Sequence, residues 1–181
     1  MSNISWHFFN VKLTCVLAAS LACSLAAANN HETVSSSSVS PAIQDEQASQ
    51  LWVTTGFRSY HFKRSAGYNE NNSGIGFEWR FNDERAVMVG TYRNSVRDTT
   101  HYLHYVWTPW QMGSVRLGGA VGLIDGYPEL NDGKVSFSLI PAATWNFQVF
   151  SHDVGLNFVY IPTIAKQVDG SLALQLKIRL K

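Results

Sequence analysis

The 181-residue sequence lacks cysteine beyond its N-terminal region and lacks any apolar run long enough to cross a bilayer as a helix. Its cysteines are Cys15 and Cys23, and its N-terminal apolar run, Leu13 to Leu25, is shorter than the roughly 20 residues of a spanning helix. Residues 1–28 carry only Lys12 as a charge and end in three alanines, which predicts a secretory signal peptide. A lipoprotein signal at Cys23 is the alternative, although the usual leucine three residues before the cysteine is missing, since that position is Ser20. After cleavage no cysteine would remain, which excludes thiol catalysis, cysteine–metal sites and disulfides.

An excess of one charge sign is also absent, as are the motifs of several enzyme classes. Loss of Lys12 reduces the 14 basic residues to 13, against 13 acidic ones, so no basic field favours nucleic acid as a partner. There is no G-x-S-x-G elbow, phosphate loop or H-E-x-x-H pair. His101 and His104 are three residues apart in a predicted strand, so they point to opposite faces and make a poor metal pair. We therefore expect no metal and no cofactor.

Residues 29–50 predict an exposed lead-in. They are rich in serine, with an unbroken run from Ser35 to Ser38, and show only a weak apolar pattern. A short helix from Pro41 to Gln50, lying on a membrane surface, is permitted because proline is tolerated in a first helical turn. A flexible linker is the favoured interpretation.

From residue 51 to 181 the sequence predicts a single all-β domain. Short segments of period two alternate with turn-like groups such as Asn82-Asp83-Glu84-Arg85, Asn131-Asp132-Gly133 and Val168-Asp169-Gly170. An even number of strands can close a sheet, so we expect an eight-stranded antiparallel β-barrel. The predicted strands cover 51–63, 73–82, 86–96, 101–109, 112–124, 134–147, 150–161 and 170–180.

Such a barrel could be a soluble lipocalin-like cup or an outer-membrane protein. The embedded alternative is favoured because several segments, such as Ala86 to Val89 and Phe137 to Ala143, are apolar on both faces. The last strand alternates, with the leucines from 172 to 180 and Ile178 on the predicted lipid face, although a C-terminal Lys181 departs from the usual aromatic ending. Aromatic residues near strand ends would form the interfacial girdles of a membrane barrel. These residues are Trp52, Trp79, Trp107, Trp110, Tyr127, Trp145 and Tyr160.

Two polar side chains at the ends of apolar strands are the candidate reactive groups. Alternation places His61 on one face with Thr55, Phe57, Ser59 and Lys63, and Ser95 on one face with Val87, Val89, Thr91 and Arg93. A hydroxyl alone is a weak nucleophile or acid, and an imidazole within hydrogen-bond reach can take its proton or be held by it. The nearby carboxylates that could orient the imidazole are Glu70, Glu78 and Asp98.

Several segments together resemble the outer-membrane lipid A palmitoyltransferases, in particular shorter and divergent members of that family. The resemblance covers roughly residues 51–181. It is carried by Tyr60-His61-Phe62, Tyr68-Asn69-Glu70-Asn71-Asn72, Gly74-Ile75-Gly76-Phe77-Glu78-Trp79, Gly90-Thr91-Tyr92-Arg93-Asn94-Ser95, Ile140-Pro141 and Tyr160-Ile161-Pro162.

The resemblance implies a barrel whose lumen holds one acyl chain taken from the sn-1 position of a phospholipid and passed to a hydroxyacyl chain of lipid A. It implies that His61 and Ser95 are catalytic, with Asn94 at the place of the family's aspartate. Asn can orient a ring by hydrogen bonding but holds no negative charge at neutral pH. Pro141 and Pro162 resemble the prolines of the family's lateral lipid gate, or they mark bulges.

Further expectations follow from the same resemblance. The residue that measures acyl length on the lumen floor would lie near Tyr105-Val106-Trp107, with Val106 as the candidate. At the rim, Arg58, Lys63 and Arg64 would bind phosphates or be merely solvated.

The sequence thus predicts an outer-membrane acyltransferase, a monomer, whose partners are a phospholipid acyl donor, a lipid A acceptor and the surrounding membrane lipid. One alternative is a non-enzymatic outer-membrane barrel for adhesion or envelope integrity. The other is a periplasmic lipocalin-like lipid carrier.

Overall fold

The computed structural model describes residues 48–163 and 168–180, which form a closed antiparallel barrel with strands in sequence order. Two 3-10 helices, Arg64–Ala66 and Asn131–Gly133, lie in its connections. No helix in these residues is long and apolar enough to cross a membrane. The eight strands are β1 (Gln50–His61), β2 (Asn71–Arg80), β3 (Arg85–Arg93), β4 (Thr99–Met112), β5 (Val115–Ile124), β6 (Ser136–Val149), β7 (His152–Ile161) and β8 (Ser171–Arg179).

All eight predicted strands are confirmed, with ends shifted by three residues at most. The signal peptide at 1–28 lies outside the described residues, as does most of the lead-in at 29–50. Of the permitted Pro41–Gln50 helix only the last three residues are described, and Gln50 already belongs to β1.

The two ends of the barrel differ in the length of their connections. At one end the strands are joined by the short segments 81–84, 113–114 and 150–151. The other end, here called the loop end, carries loop L1 (62–70), loop L2 (94–98), loop L3 (125–135) and loop L4 (162–170, of which 164–167 are not described). Because β1 and β3 both run toward the loop end, His61 and Ser95 lie at the same rim.

The barrel is apolar outside and largely polar inside. A row of directly opposed residues crosses all eight strands, and every member is apolar. Six of its side chains are between 45% and 69% exposed, whereas Glu78 and Lys177 inside the barrel are at most 1% exposed. The row is Val154, Ile178, Val53, Phe77, Val89, Leu103, Leu123 and Phe137.

The predicted alternation of the last strand is confirmed. Leu172, Leu174, Leu176, Ile178 and Leu180 are exposed, while Gln175 and Lys177 are buried in the lumen. Five of the seven aromatic residues expected in girdles, Trp79, Trp107, Trp110, Trp145 and Tyr160, also face outward. For the other two the expectation was wrong. Trp52 is buried inside against Lys177, and Tyr127 lines the internal cavity, so neither can belong to a girdle.

A bulge in β1 corrects the predicted face of Thr55. The pairing of β1 with both neighbours shifts between Thr54 or Thr55 and Phe57, so Thr54 points inward, Thr55 outward, and Phe57 and His61 inward again. Gly56 permits the shift, since a Cβ there would lie 1.9 Å from the carbonyl oxygen of Asn72. Strict period-two alternation does not include the extra residue of a bulge, so it assigns Thr55 to the wrong face.

Candidate functional site

The lumen contains a cavity of about 310 Å³ that reaches from the loop end to a polar floor. Its middle is lined by Met88, Tyr102, Val106 and Ala120, which together with Ala86 form the only cluster of buried apolar side chains among the described residues. Phe57 and Tyr92 pack against this cluster with their rings 5.1 Å apart. The cavity wall is therefore apolar in its middle section and polar at each end.

The floor of the cavity is a buried hydrogen-bonded network centred on Glu78. Lys177 Nζ lies 2.6 Å and Arg80 Nη1 2.8 Å from Glu78 Oε1, and Asn157 Nδ2 donates to Glu78 Oε2 at 2.8 Å. Lys177 also donates to Thr144 Oγ1 at 2.9 Å. Charges buried with this many partners are held in place, because removal of one leaves another unpaired at a cost of several kcal/mol. Glu78, one of the three carboxylates that could have oriented His61, thus belongs to the floor.

His61, the last residue of β1, lies at the mouth of the cavity. Its side chain is buried and its ring lies 4.6 Å from the ring of Tyr68, between centroids. The nearest carboxylate is Glu70, whose Oε1 is 3.9 Å from His61 Nδ1 and accepts the His61 backbone N–H at 3.1 Å. His61 Nδ1 is buried and has no hydrogen-bond partner in the described part of the chain. Of the three carboxylates considered from the sequence, Glu70 is thus the one beside His61, and its hydrogen bond is to the backbone N–H and not to the ring.

Two side-chain contacts hold loop L1 in place next to His61. Arg64 pairs with Glu70, and Tyr68 donates a 2.6 Å hydrogen bond to Asp169 in L4. The hydrogen bond from the His61 backbone, with help from Arg64, lowers the pKa of Glu70. The bond to Tyr68 lowers the pKa of Asp169 and raises that of Tyr68 to about 12. Both carboxylates therefore stay charged at neutral pH, and the loop remains fastened there.

Ser95 lines the mouth of the same cavity but forms no hydrogen bond with His61 in the ranges that the structure describes. Its carbonyl accepts the backbone N–H of Asn69 at 2.8 Å, which joins L2 to L1. Burial raises the pKa of the Tyr127 phenol, and hydrogen bonding with the Tyr92 and Ser95 side chains opposes that rise. The predicted face of Ser95 was wrong: Val89 points outward, and the chain turns after Arg93 so that Ser95 faces the cavity.

Asn94 is fully buried and holds the L2 turn together. Its Oδ1 accepts the backbone N–H groups of Val96 at 3.1 Å and Asp98 at 2.9 Å. Its Nδ2 donates to the Gly126 carbonyl at 2.6 Å and to Thr100 Oγ1 at 3.2 Å. All these contacts are within L2 or with its neighbours, so the side chain positions the turn that carries Ser95 and does not contact the His61 ring.

The remaining predicted residues occupy several places. Val106 faces the cavity wall while Tyr105 and Trp107 face outward. Lys63 lies 3.5 Å from Asp169 at the rim, and both Lys63 and Arg64 are more than half exposed. His101 and His104 point to opposite faces, as predicted, with His101 exposed and His104 buried.

The seam between β6 and β7 is unpaired next to the predicted gate prolines. The β6–β7 ladder stops at Ala142 and Val159, whereas β6 remains paired with β5 up to Ser136. Pro141 and Pro162 flank this unpaired stretch, where neither can donate a backbone hydrogen bond. The cavity is lined by residues on both sides of the seam, including Ile140 and Ile161.

One pair in the cavity was not singled out from the sequence. His104 Nε2 on β4 is hydrogen-bonded to Ser138 Oγ on β6, and both residues line the cavity. The alternation that puts His104 inside with Tyr102 and Val106 could have signalled it. Its partner on β6 could not be known without the register of the barrel.

No protein-family model matches this sequence, and no curated protein matches it either.

Proposed function

We propose that this protein is an outer-membrane acyltransferase that draws the acyl chain of a glycerophospholipid into its lumen and transfers it to lipid A. The observation that carries the proposal is the shape of the cavity. It is apolar in its middle, ends at His61 at the rim, and adjoins the unpaired β6–β7 seam.

The outer surface of the barrel supports residence in a membrane. Exposed apolar patches of this extent are rare on monomeric soluble proteins. The row of apolar partners that crosses all eight strands, from Val154 to Phe137, corresponds to the lipid-facing band of outer-membrane barrels. A periplasmic carrier would expose this band to water, so the membrane location is preferred.

The cavity supports an acyl chain as the bound group. A volume of about 310 Å³ is at the lower end of small-molecule sites, and burial of each methylene contributes about 0.8 kcal/mol. The charged floor around Glu78 would stop the chain, because hydrocarbon contact with buried ions gains nothing. Val106 stands above that floor in the apolar wall and remains our candidate for acyl-length selection.

The unpaired seam supports lateral entry of the lipid. A lipid chain that enters from the membrane must pass between two strands, and paired strands would have to break hydrogen bonds to admit it. Between Pro141 on β6 and Tyr160 on β7 no such bonds need to be broken. The donor headgroup would stay at the loop end, where Arg58, Lys63 and Arg64 offer positive charge.

The proposed chemistry uses His61 as the general base. The imidazole takes the proton of the lipid A hydroxyl while that oxygen attacks the ester carbonyl of the donor, and the proton then passes to the departing lysophospholipid oxygen. Ser95 supplies a hydroxyl at the same mouth, where it can donate to the ester, and Asn94 fixes the turn that carries it. Glu70 favours the protonated ring that forms during the reaction.

Reconstitution with labelled donor tests this function. The full chain in detergent micelles should move labelled palmitate from phosphatidylcholine to lipid A. His61→Ala should reduce the rate at least a hundredfold, in line with the usual contribution of a general base, and Ser95→Ala should reduce it as well. The matched controls are His101→Ala and Ser151→Ala, which lie outside the cavity lining. Undiminished transfer by a folded His61→Ala variant contradicts the site.

A second candidate function is a non-enzymatic outer-membrane barrel that binds lipid. The observation in its favour is the absence of a hydrogen bond between His61 and Ser95 in the described residues. The same reconstitution separates the two, since this candidate requires lipid binding without any labelled lipid A.

A further inference from the structure

We propose that His104 and Ser138 form a second reactive pair, in which Ser138 is a nucleophile that accepts an acyl group from a lipid ester and His104 is its base. Among the described residues Ser138 is the only serine whose hydroxyl is hydrogen-bonded to an imidazole. The pair faces the cavity, on the side wall rather than at the mouth.

The barrel is built so that these two side chains can meet across an intervening strand. His104, Gly122 and Ser138 are directly opposed on β4, β5 and β6. A Cβ at position 122 would lie 2.8 Å from His104 Cδ2, so the imidazole passes over a glycine to reach Ser138. Any other residue at the centre of this row would block the contact.

The ring of His104 is held in a defined orientation. It stacks on the ring of Tyr102 with centroids 5.7 Å apart and an interplanar angle of 25°. Nε2 bonds Ser138, and Nδ1 forms no hydrogen bond with any residue of the described ranges. With its proton on Nδ1, the ring presents an acceptor nitrogen to the Ser138 hydroxyl, as a base does toward a serine nucleophile.

Ser138 lies on the stretch of β6 that borders the open seam. It is in the Ser136–Pro141 segment, which pairs with β5 but not with β7. Its neighbours Phe137 and Leu139 point outward and are 69% and 70% exposed. A lipid that enters through the seam therefore passes the Ser138 hydroxyl before it reaches the apolar middle of the cavity.

The proposed step conserves atoms and charge. Ser138 Oγ forms a bond with the carbonyl carbon of the ester while His104 Nε2 takes the hydroxyl proton. The bond between that carbon and the ester oxygen breaks, and the proton passes from His104 to the departing alcohol, a lysophospholipid. The acyl group then leaves Ser138 for an acceptor hydroxyl or water, whose proton returns through His104 to Ser138. The pair relies on the proposed function for its lipid substrate, but it does not require His61.

Covalent trapping tests the pair directly. The full chain in detergent micelles is treated with a long-chain alkyl p-nitrophenyl phosphonate, which reacts with activated serines, and the adduct is located by peptide mass spectrometry. We expect one adduct, on the peptide that contains Ser138, and none in Ser138→Ala. His104→Gln keeps a hydrogen-bonding group but has no base, so the labelling rate should fall at least a hundredfold.

Two controls remove the remaining ambiguity. Ser136→Ala changes a serine of the same strand that bonds a backbone carbonyl instead of an imidazole, and its labelling should be unchanged. Ser95→Ala should also retain the adduct. A label on Ser95 alone, or no label on Ser138 in protein that transfers palmitate to lipid A, overturns the proposal. An adduct on Ser138 in protein that transfers nothing to lipid A supports the pair and contradicts the proposed function.

Discussion

The carboxylate that would stabilise a protonated His61 comes from L1 and not from L2. Glu70 lies 3.9 Å from His61 Nδ1 and is already fixed by the backbone N–H of His61. Asn94 uses both its amide oxygen and its amide nitrogen in hydrogen bonds that hold L2. An anion at that buried position would face the carbonyl of Gly126, so the negative charge is better supplied from L1.

Glu70→Gln tests this assignment at the residue scale. Glutamine keeps an acceptor for the His61 N–H but lacks the charge, so palmitate transfer should fall about tenfold, the equivalent of 1.4 kcal/mol of lost stabilisation. The measurement is the initial rate of transfer. Asp98→Asn, which changes another loop-end carboxylate without contact to His61, is the matched control. An equal loss in both variants contradicts a specific role for Glu70.

The pH dependence of L1 follows from the same contacts. Because the pKa of Glu70 is lowered in the folded protein, its contribution is present above the ordinary pKa of a glutamate and is lost as the pH falls through the lowered value. Asp169 behaves in the same way through Tyr68. Amide hydrogen exchange in L1 should therefore stay slow from neutral pH to below the usual glutamate range and then accelerate, after correction for intrinsic rates. Tyr68→Phe removes the bond that fastens L1 to Asp169, so exchange in L1 should already be faster at neutral pH.

Asn94→Ala should destabilise the barrel and not merely slow the reaction. The change leaves two backbone N–H groups and the Gly126 carbonyl without their partner, which costs about 1–3 kcal/mol for a buried polar group. Urea unfolding in micelles measures the loss, and His61→Ala is the comparison, with a smaller expected change. If Asn94→Ala abolishes transfer at full stability, the residue acts in the chemistry after all.

At the scale of strands, period-two alternation was sufficient to predict every strand of the barrel, and the predicted faces of β8 are confirmed. It failed for Thr55, because a bulge adds a residue, and for Ser95, because L2 redirects the chain after Arg93. The pair of His104 and Ser138 depends on the register of three strands, which the sequence does not contain in local form. The position of a residue in a strand can thus be predicted from the neighbouring sequence, whereas its contacts with other strands depend on the register of the barrel.

A cross-link across the seam tests whether lipid enters there. Continued in register, Pro141 on β6 would oppose Tyr160 on β7, and both face outward. Oxidation of Pro141→Cys/Tyr160→Cys should join the two strands by a disulfide and reduce transfer at least tenfold, because the gap between the strands is then closed to lipid. Reduction of the disulfide should restore the rate. Trp145→Cys/Leu156→Cys cross-links a position that is already paired and should leave the rate unchanged. Full activity of the oxidised seam variant contradicts lateral entry between β6 and β7.

For the molecule as a whole, the outer face of the sheet carries apolar side chains and the inner face carries buried charges, the reverse of the usual arrangement in a water-soluble barrel. Inside, Glu78 pairs with both Lys177 and Arg80 in the floor of the lumen, toward the end of the barrel opposite the loop end. Outside, each of the eight strands contributes one apolar side chain to the row that crosses the sheet. The polar floor and the apolar exterior support the proposed lipid-binding function over that of a water-filled pore.

An arginine in the middle of the apolar row tests insertion into a bilayer. Leu103 is half exposed near the middle of β4, between Val89 and Leu123 in the row. In vesicles Leu103→Arg should reduce the folding free energy by about 2–4 kcal/mol, the cost of an arginine near the bilayer midplane. Val149→Arg, at the end of β6, should cost only about 0–1 kcal/mol, because its charge can reach the interface. The dependence of cost on depth is the diagnostic result, since a barrel that stays in water would tolerate arginine equally well at both positions.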